Sequence, residues 1–248
     1  MNMKSGLFAL ALAAFAVQPV LAQEAEKEYA GAPDAKSYGY TALAVGLATP
    51  ATLPWGFDWH IFGLDVYLLY SDCNKMYGIE VGGLANVARL DMCGIQAAAA
   101  FNLANRDAVG IMASCFNMCN RTAYGLSVDV LGMNREFEGL SVDGLMSMTD
   151  ESFYGLDVAG LANAVREDMW GWQIAIGATF ARRVHGLQTS VVLNMTDELR
   201  GAQVGVVNYA ATASAGFQVG IVNLIMDNQV PFIPIFNCYF YVDDLPRL

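Results

Sequence analysis

Histidine, proline and basic side chains are scarce in this chain of 248 residues, and each shortage closes off a class of function. Two histidines, His60 and His185, are too few for a His-rich metal site or a repeated acid–base pair. Thirteen Lys and Arg stand against 24 Asp and Glu, a formal net charge of −11, which repels phosphate backbones and argues against nucleic acid as a partner. Only 15% of residues are charged and only 7 are proline, whereas 55% are hydrophobic. Disordered and linker-like chains have the opposite balance. No later apolar stretch reaches the roughly 20 residues of a membrane-spanning helix. P-loop, GxSxG and HExxH patterns are all missing, so no catalytic residue, no cofactor and no metal site are expected, and the chain is read as a non-enzyme.

The five cysteines, Cys73, Cys93, Cys115, Cys119 and Cys238, form no CxxC pair, and their odd number leaves at least one thiol outside any intramolecular disulfide. Cys115 is expected to point inward as a small core residue.

The start of the chain reads as an export signal. Lys4 precedes an apolar run from Leu7 to Val17, and Val20-Leu21-Ala22 supplies the small residues of a cleavage site after Ala22. Gln23 follows where a lipoprotein would need cysteine. The expected organisation is a signal peptide over 1–22, an acidic leader over 23–36, an N-terminal cap over 37–62, a repeat array over 63–230 and a C-terminal cap over 231–248. Caps are needed because an open stack would expose its core and its unpaired strand edges.

What the chain does contain is internal repetition. Units begin at Gly63, Gly78, Gly94, Gly110, Gly125, Gly139, Gly155, Gly171, Gly186, Gly201 and Gly216, and successive glycines are 14 to 16 residues apart. The clearest copies are GLQTSVVLN, GAQVGVVN and GFQVGIVN; GIEVGGLAN and GLDVAGLAN drift from the same theme. Within each unit the side chains alternate with period two, as a strand requires. An Asn follows (Asn86, Asn102, Asn117, Asn163, Asn194, Asn208, Asn223), then a charged tip such as Asn105-Arg106-Asp107, expected to be a solvated turn.

Two all-β architectures use such a unit: a β-solenoid of about eleven rungs, or an antiparallel outer-membrane barrel. Apolar residues two before each glycine, such as Met92, Phe153 and Leu199, and one after it break strict alternation if both point inward. A corner at the glycine explains that break and favours the solenoid. Connections of equal length also speak against a barrel, whose hairpins alternate short turns with long loops.

With the Leu and Val side taken as the inner face, the outer face carries the short polar residues. Gln173, Gln188, Gln203 and Gln218 then form an outward amide ladder. Asp129 and Asp143 fall in one column of adjacent rungs, where like charges repel; they share a proton, hold a hard cation such as Ca²⁺, or, as the simplest case, splay into solvent. These residues, with Asp157, are the candidate interaction face. The same three aspartates are the only clustered carboxylates available to a polysaccharide-active enzyme.

The GLQ-apolar-G-apolar-apolar-Asn units, the opening Gly63-Leu64-Asp65-Val66-Tyr67-Leu68-Leu69-Tyr70 and the closing Pro231-Phe232-Ile233-Pro234-Ile235-Phe236-Asn237 resemble the leptospiral-type surface-repeat proteins. The likeness covers about residues 60 to 240. It implies an exported bacterial protein at the envelope or surface, with no catalytic residues to carry over. The units GLSVDVLGMN and GLSVDGLMSM depart from the pattern, with Asp in place of the small residue and no Asn in its usual place, and a specialised surface is expected there. The expected function is that of an exported, non-enzymatic envelope protein, structural or binding an unidentified envelope partner through a flat β face, in the periplasm, the outer membrane or at the cell surface. The alternative is an outer-membrane barrel with a pore or transport role, the one case in which membrane contact is expected.

Overall fold

The computed structural model describes residues 39–55 and 59–240. The expected signal peptide and acidic leader, with residues 37–38, 56–58 and 241–248, lie outside the described residues. Among the described residues every regular element is a strand. The strands form one sheet wound into a coil, and neighbouring rungs pair in parallel. Registration is glycine on glycine: Gly63 with Gly78, Gly94, Gly110 and Gly125 in turn, then Gly139, Gly155, Gly171, Gly186, Gly201 and Gly216. This is a β-solenoid of about eleven turns. At the ~4.8 Å strand spacing it extends on the order of 50 Å along its axis.

The barrel is thereby overturned. A membrane barrel needs antiparallel neighbours, and among the described residues antiparallel pairing occurs only at the two ends of the coil. Strand Gly39–Ala48 pairs in parallel with Trp59–Cys73 and folds back on Ala51–Leu53. Strand Ile235–Phe240 runs antiparallel to residues 215–220 of the final rung and covers its edge. A coil returns each chain segment one rung away in the same direction. A repeat of nearly constant length can do this without hairpins.

The solenoid stands, but the broken alternation invoked for it does not. Residues two before the glycine are buried (Met92, Phe153, Leu199), and so are those two after it (Gln96, Asp157, Gln203). The residue one after the glycine, such as Leu64, Ile79 or Trp172, faces outward. Period two therefore runs straight through the glycine. What the glycine supplies is its backbone: Gly155 has φ 132°, and a Cβ there would lie 2.0 Å from the carbonyl oxygen of Gly139 one rung below. Only a residue without Cβ lets rungs approach this closely at that position.

The interior is divided. One part is apolar, built by Ile61, Met76, Met92, Phe137, Phe153, Met169, Val184 and Leu199 on one wall and by Cys73, Ala88, Ala104, Cys119 and Val165 facing them. Phe137 and Phe153 stack at 5.4 Å across adjacent rungs. Cys115 is exposed rather than inward, at the corner where the chain leaves the glycine-bearing wall. The other part of the interior is polar.

Gly155→Ala is expected to lower stability by roughly 3 kcal/mol or more, from the unfavourable φ and the clash with Gly139. Gly144→Ala, whose Cβ would find its nearest neighbour at 3.5 Å, should stay within about 0.5 kcal/mol of the parent. Urea unfolding followed by circular dichroism compares the two; equal losses would contradict the close approach at the glycine column.

Candidate functional site

All seven residues expected to form an outward interaction face are buried. Gln173, Gln188, Gln203, Gln218 and Asp157 are 0% exposed, and Asp129 and Asp143 lie inside the coil as well. Their neighbours in sequence, the Leu, Ile and Val residues, are the ones at the surface. The physical reason is that a buried amide costs little when it is fully bonded, and stacked rungs bond it. Gln188 donates to Gln173 at 3.0 Å, Gln203 to Gln188 at 2.8 Å and Gln218 to Gln203 at 2.8 Å. Gln203 and Gln218 also donate to the carbonyls of Tyr209 and Leu224. The Asn column does the same: Asn86 donates to Asn102, Asn102 to Asn117, Asn194 to Asn208 and Asn208 to Asn223, at 2.7 to 3.0 Å.

The two divergent middle rungs break this ladder. Gly132 contributes no side chain, and the space beside it is taken by Asp143 and Asp129. Asn117 and Ser127 donate to Asp129, and Ser141 donates to Asp143. The pair is thus neither splayed nor solvated. Burial, followed by hydrogen bonding to and repulsion from Asp129, holds the Asp143 carboxyl protonated far above the usual range. Asp157 belongs to the neighbouring column, in line with Gln173, and burial pushes it up to about 7. Enclosed this way, the three carboxyls cannot meet a polysaccharide chain.

The glutamine column has a second acidic segment that the sequence reading passed over. Asp65 and Glu80 occupy it in the first two rungs, registered one above the other. Both are fully buried; burial first and then their mutual repulsion push Asp65 up to about 8, and burial pushes Glu80 up to about 7. One oxygen from each and Cys73 Sγ lie within 4.8 Å of one another. The departures from Gln in GLDV and GIEV were the available signal.

The outer surface is apolar over much of its circumference. Leu64, Ile79, Ile95, Ile111 and Leu140 form one exposed column, and Val66, Val81, Val128, Val142 and Val204 a second. The corner that follows is more open still, with Leu68 at 67%, Ile176 at 66% and Ile221 at 67% exposure, together with Leu84, Leu145, Val191 and Val192. Beside this corner runs a trough of about 530 Å³ lined by Val142, Val158, Ile174, Ile176, Val191 and Val204. A further trough of about 460 Å³ shares Val191 and Val204 and continues to Val219 and Ile221.

Charged residues collect roughly half a turn of the coil further along the chain, on the other side. There they pair between rungs: Lys75 with Asp91, Arg106 with Asp91, Arg135 with Glu151, Arg166 with Asp150, Arg182 with Glu167 and Arg183 with Asp168. The charged tips are therefore a bonded ridge and not merely loose solvated turns. His185, beside it, stacks on Trp170 at 3.9 Å. Compared with known proteins, the chain matches no family model, no curated protein and no solved structure.

The buried acids set a pH dependence. Asp65, Glu80, Asp157 and Asp143 keep protons in the folded state that the unfolded chain releases near pH 4, so folding binds protons. Stability is then highest near the unfolded values and falls as pH rises through the folded ones. Each unit of displacement corresponds to about 1.4 kcal/mol, and about 1 kcal/mol moves the midpoint of a chain this size by about 2–4 °C. In the chelator-treated chain, thermal melts should show Tm falling by more than ~10 °C between pH 5 and pH 9; a flat or rising profile would refute the burial of these acids.

Proposed function

We propose that this is a non-enzymatic, exported envelope protein that seats its apolar corner in the acyl region of a lipid surface. The observation that carries the proposal is the distribution of exposed apolar side chains. They cover a convex corner and the wall that precedes it, with Val66, Val142 and Val204 exposed before the corner and the half-buried Phe101, Leu193 and Val207 after it, while the ion-pair ridge lies on the other side. A protein partner of ordinary size covers one flat face. A lipid layer covers a ridge together with the wall beside it. The two troughs along the corner have an apolar lining that suits an acyl chain.

The export reading rests on the apolar N-terminal segment with its Val20-Leu21-Ala22 site, and the envelope reading on the resemblance to surface-repeat proteins. With a net charge of −11, attachment should depend on apolar burial and not on anionic headgroups. Buried Asp129, Asp143 and Asp157 offer no accessible acid–base pair, which favours a binding role over a hydrolytic one.

The chain from residue 23 should co-sediment with zwitterionic phosphatidylcholine vesicles, with little change on adding salt and weaker binding to anionic ones. The double substitution Ile176→Asp and Val191→Asp places charge on the exposed corner without touching the interior; it should cut binding at least ~10-fold at unchanged Tm. Binding that survives the double variant would reject this surface. A dimer dispersed by the same substitutions, with no vesicle binding, would assign the corner to a second copy of the chain instead.

A further inference from the structure

Near the N-terminal end the polar interior holds a group of side chains that the amide ladders do not explain. Asp65 and Glu80 lie one above the other on one wall, and Cys73 reaches the same space from another part of the first rung. Each of the three is at most 1% exposed. Ser71 donates to Asp65 Oδ2 at 2.6 Å, and Gln96 donates to Glu80 Oε2 at 2.8 Å. The remaining oxygens, Asp65 Oδ1 and Glu80 Oε1, are buried without any hydrogen-bond partner. Arg89, the cation of this region, is committed to Asp72 at 2.7 and 2.8 Å.

Two orphaned carboxylate oxygens beside a thiol, sealed from water, are costly unless something binds them. We propose that Asp65, Cys73 and Glu80 form a binding site for a divalent transition-metal ion, with Zn²⁺ the best fit. The donor set selects the class of ion. Ca²⁺ and Mg²⁺ take six or more oxygens and do not favour sulfur. Zn²⁺ accepts a mixed set of thiolate and carboxylate at coordination number four. Donor atoms within 4.8 Å of one another need only a small inward movement to close on an ion with bonds of about 2.0–2.3 Å. Asp65 Oδ1 and Glu80 Oε1 are the oxygens left free for this ion, while Ser71 and Gln96 hold the other two, the arrangement by which supporting hydrogen bonds orient ligands. Such an ion would pin the first two rungs together. The site is independent of the lipid-binding corner, and either can fail without the other.

The test uses the full chain, treated with chelator and titrated with Co²⁺ as a spectroscopic probe for Zn²⁺. Expected are one equivalent bound, a thiolate-to-cobalt charge-transfer band that Zn²⁺ abolishes by displacement, and a rise in Tm on loading. Glu80→Gln and Cys73→Ala are both suited to fold, because Gln fills the first column at Gln96 and Ala fills the second at Ala88 and Ala104. Glu80→Gln should weaken binding about 10- to 100-fold, and Cys73→Ala should remove the band. The exposed thiols Cys93 and Cys115 remain in both variants. A band that survives Cys73→Ala, or an affinity unmoved by Glu80→Gln, would place the metal elsewhere and overturn the site; so would a chain that takes up no Co²⁺.

Discussion

Everything in this solenoid depends on one requirement: a polar side chain sealed inside the coil must find its hydrogen-bond partner on the next rung. A glutamine or asparagine amide has both a donor and an acceptor, so a column of identical residues satisfies itself when the rungs are in exact register. Gln188 and Gln203 do so, each donating and accepting within the column between Gln173 and Gln218, and so do Asn194, Asn208 and Asn223. A slip of one residue would turn a rung's amides to the outer face and leave those of its neighbours buried and unpaired, at about 1–3 kcal/mol each. The ladder therefore specifies the register more strictly than the apolar wall does, because apolar contacts tolerate sliding and hydrogen bonds do not. Where the ladder is interrupted, acids collect. Asp129 with Asp143 fills the space left by Gly132, and Asp65 with Glu80 replaces the amides at the first rungs.

This polar interior has a consequence for the exterior. Period-two alternation sends one set of side chains in and the other out, and a coil that spends half its interior on amides must turn Leu, Ile and Val toward the surroundings. The apolar corner is thus the counterpart of the ladder, written into the same residues. The charged side is different in origin, since its residues follow the Asn column, where the pairing is irregular between Val165 and Asp168 and successive rungs bring Arg and Asp or Glu together. One repeat unit in this way yields three surfaces of unlike chemistry, repeated along the axis.

Much of this was legible in the sequence, and the failures are instructive. The spacing of the glycines, the strand period and the even connections were enough to read a solenoid. The direction of the side chains was not, because alternation separates two faces without saying which one is inside. The usual preference for an apolar interior pointed the wrong way for Leu156 and Val158, for the glutamines and for Asp129 and Asp143. The information that could have corrected it was present: Gln recurring at one phase of four consecutive units has no reason to persist on a solvated face, whereas a closed ladder demands it. Cys115 was misplaced by the same inversion. Asp65, Cys73 and Glu80 escaped notice because they come from different columns of drifted copies, and only the winding of the coil brings a carboxylate and a thiol eight residues apart into one interior space.

The inward orientation of the amide columns is tested most directly by proton exchange at the side-chain amides themselves. In a ¹⁵N-labelled chain, the Nε2 protons of Gln188, Gln203 and Gln218 and the Nδ2 protons of Asn194 and Asn208 should exchange with deuterated solvent orders of magnitude more slowly than free amides, in step with the backbone amides of the same rungs. Exchange at the rate of free glutamine would mean that these columns face water, and the polar-core solenoid would have to be abandoned.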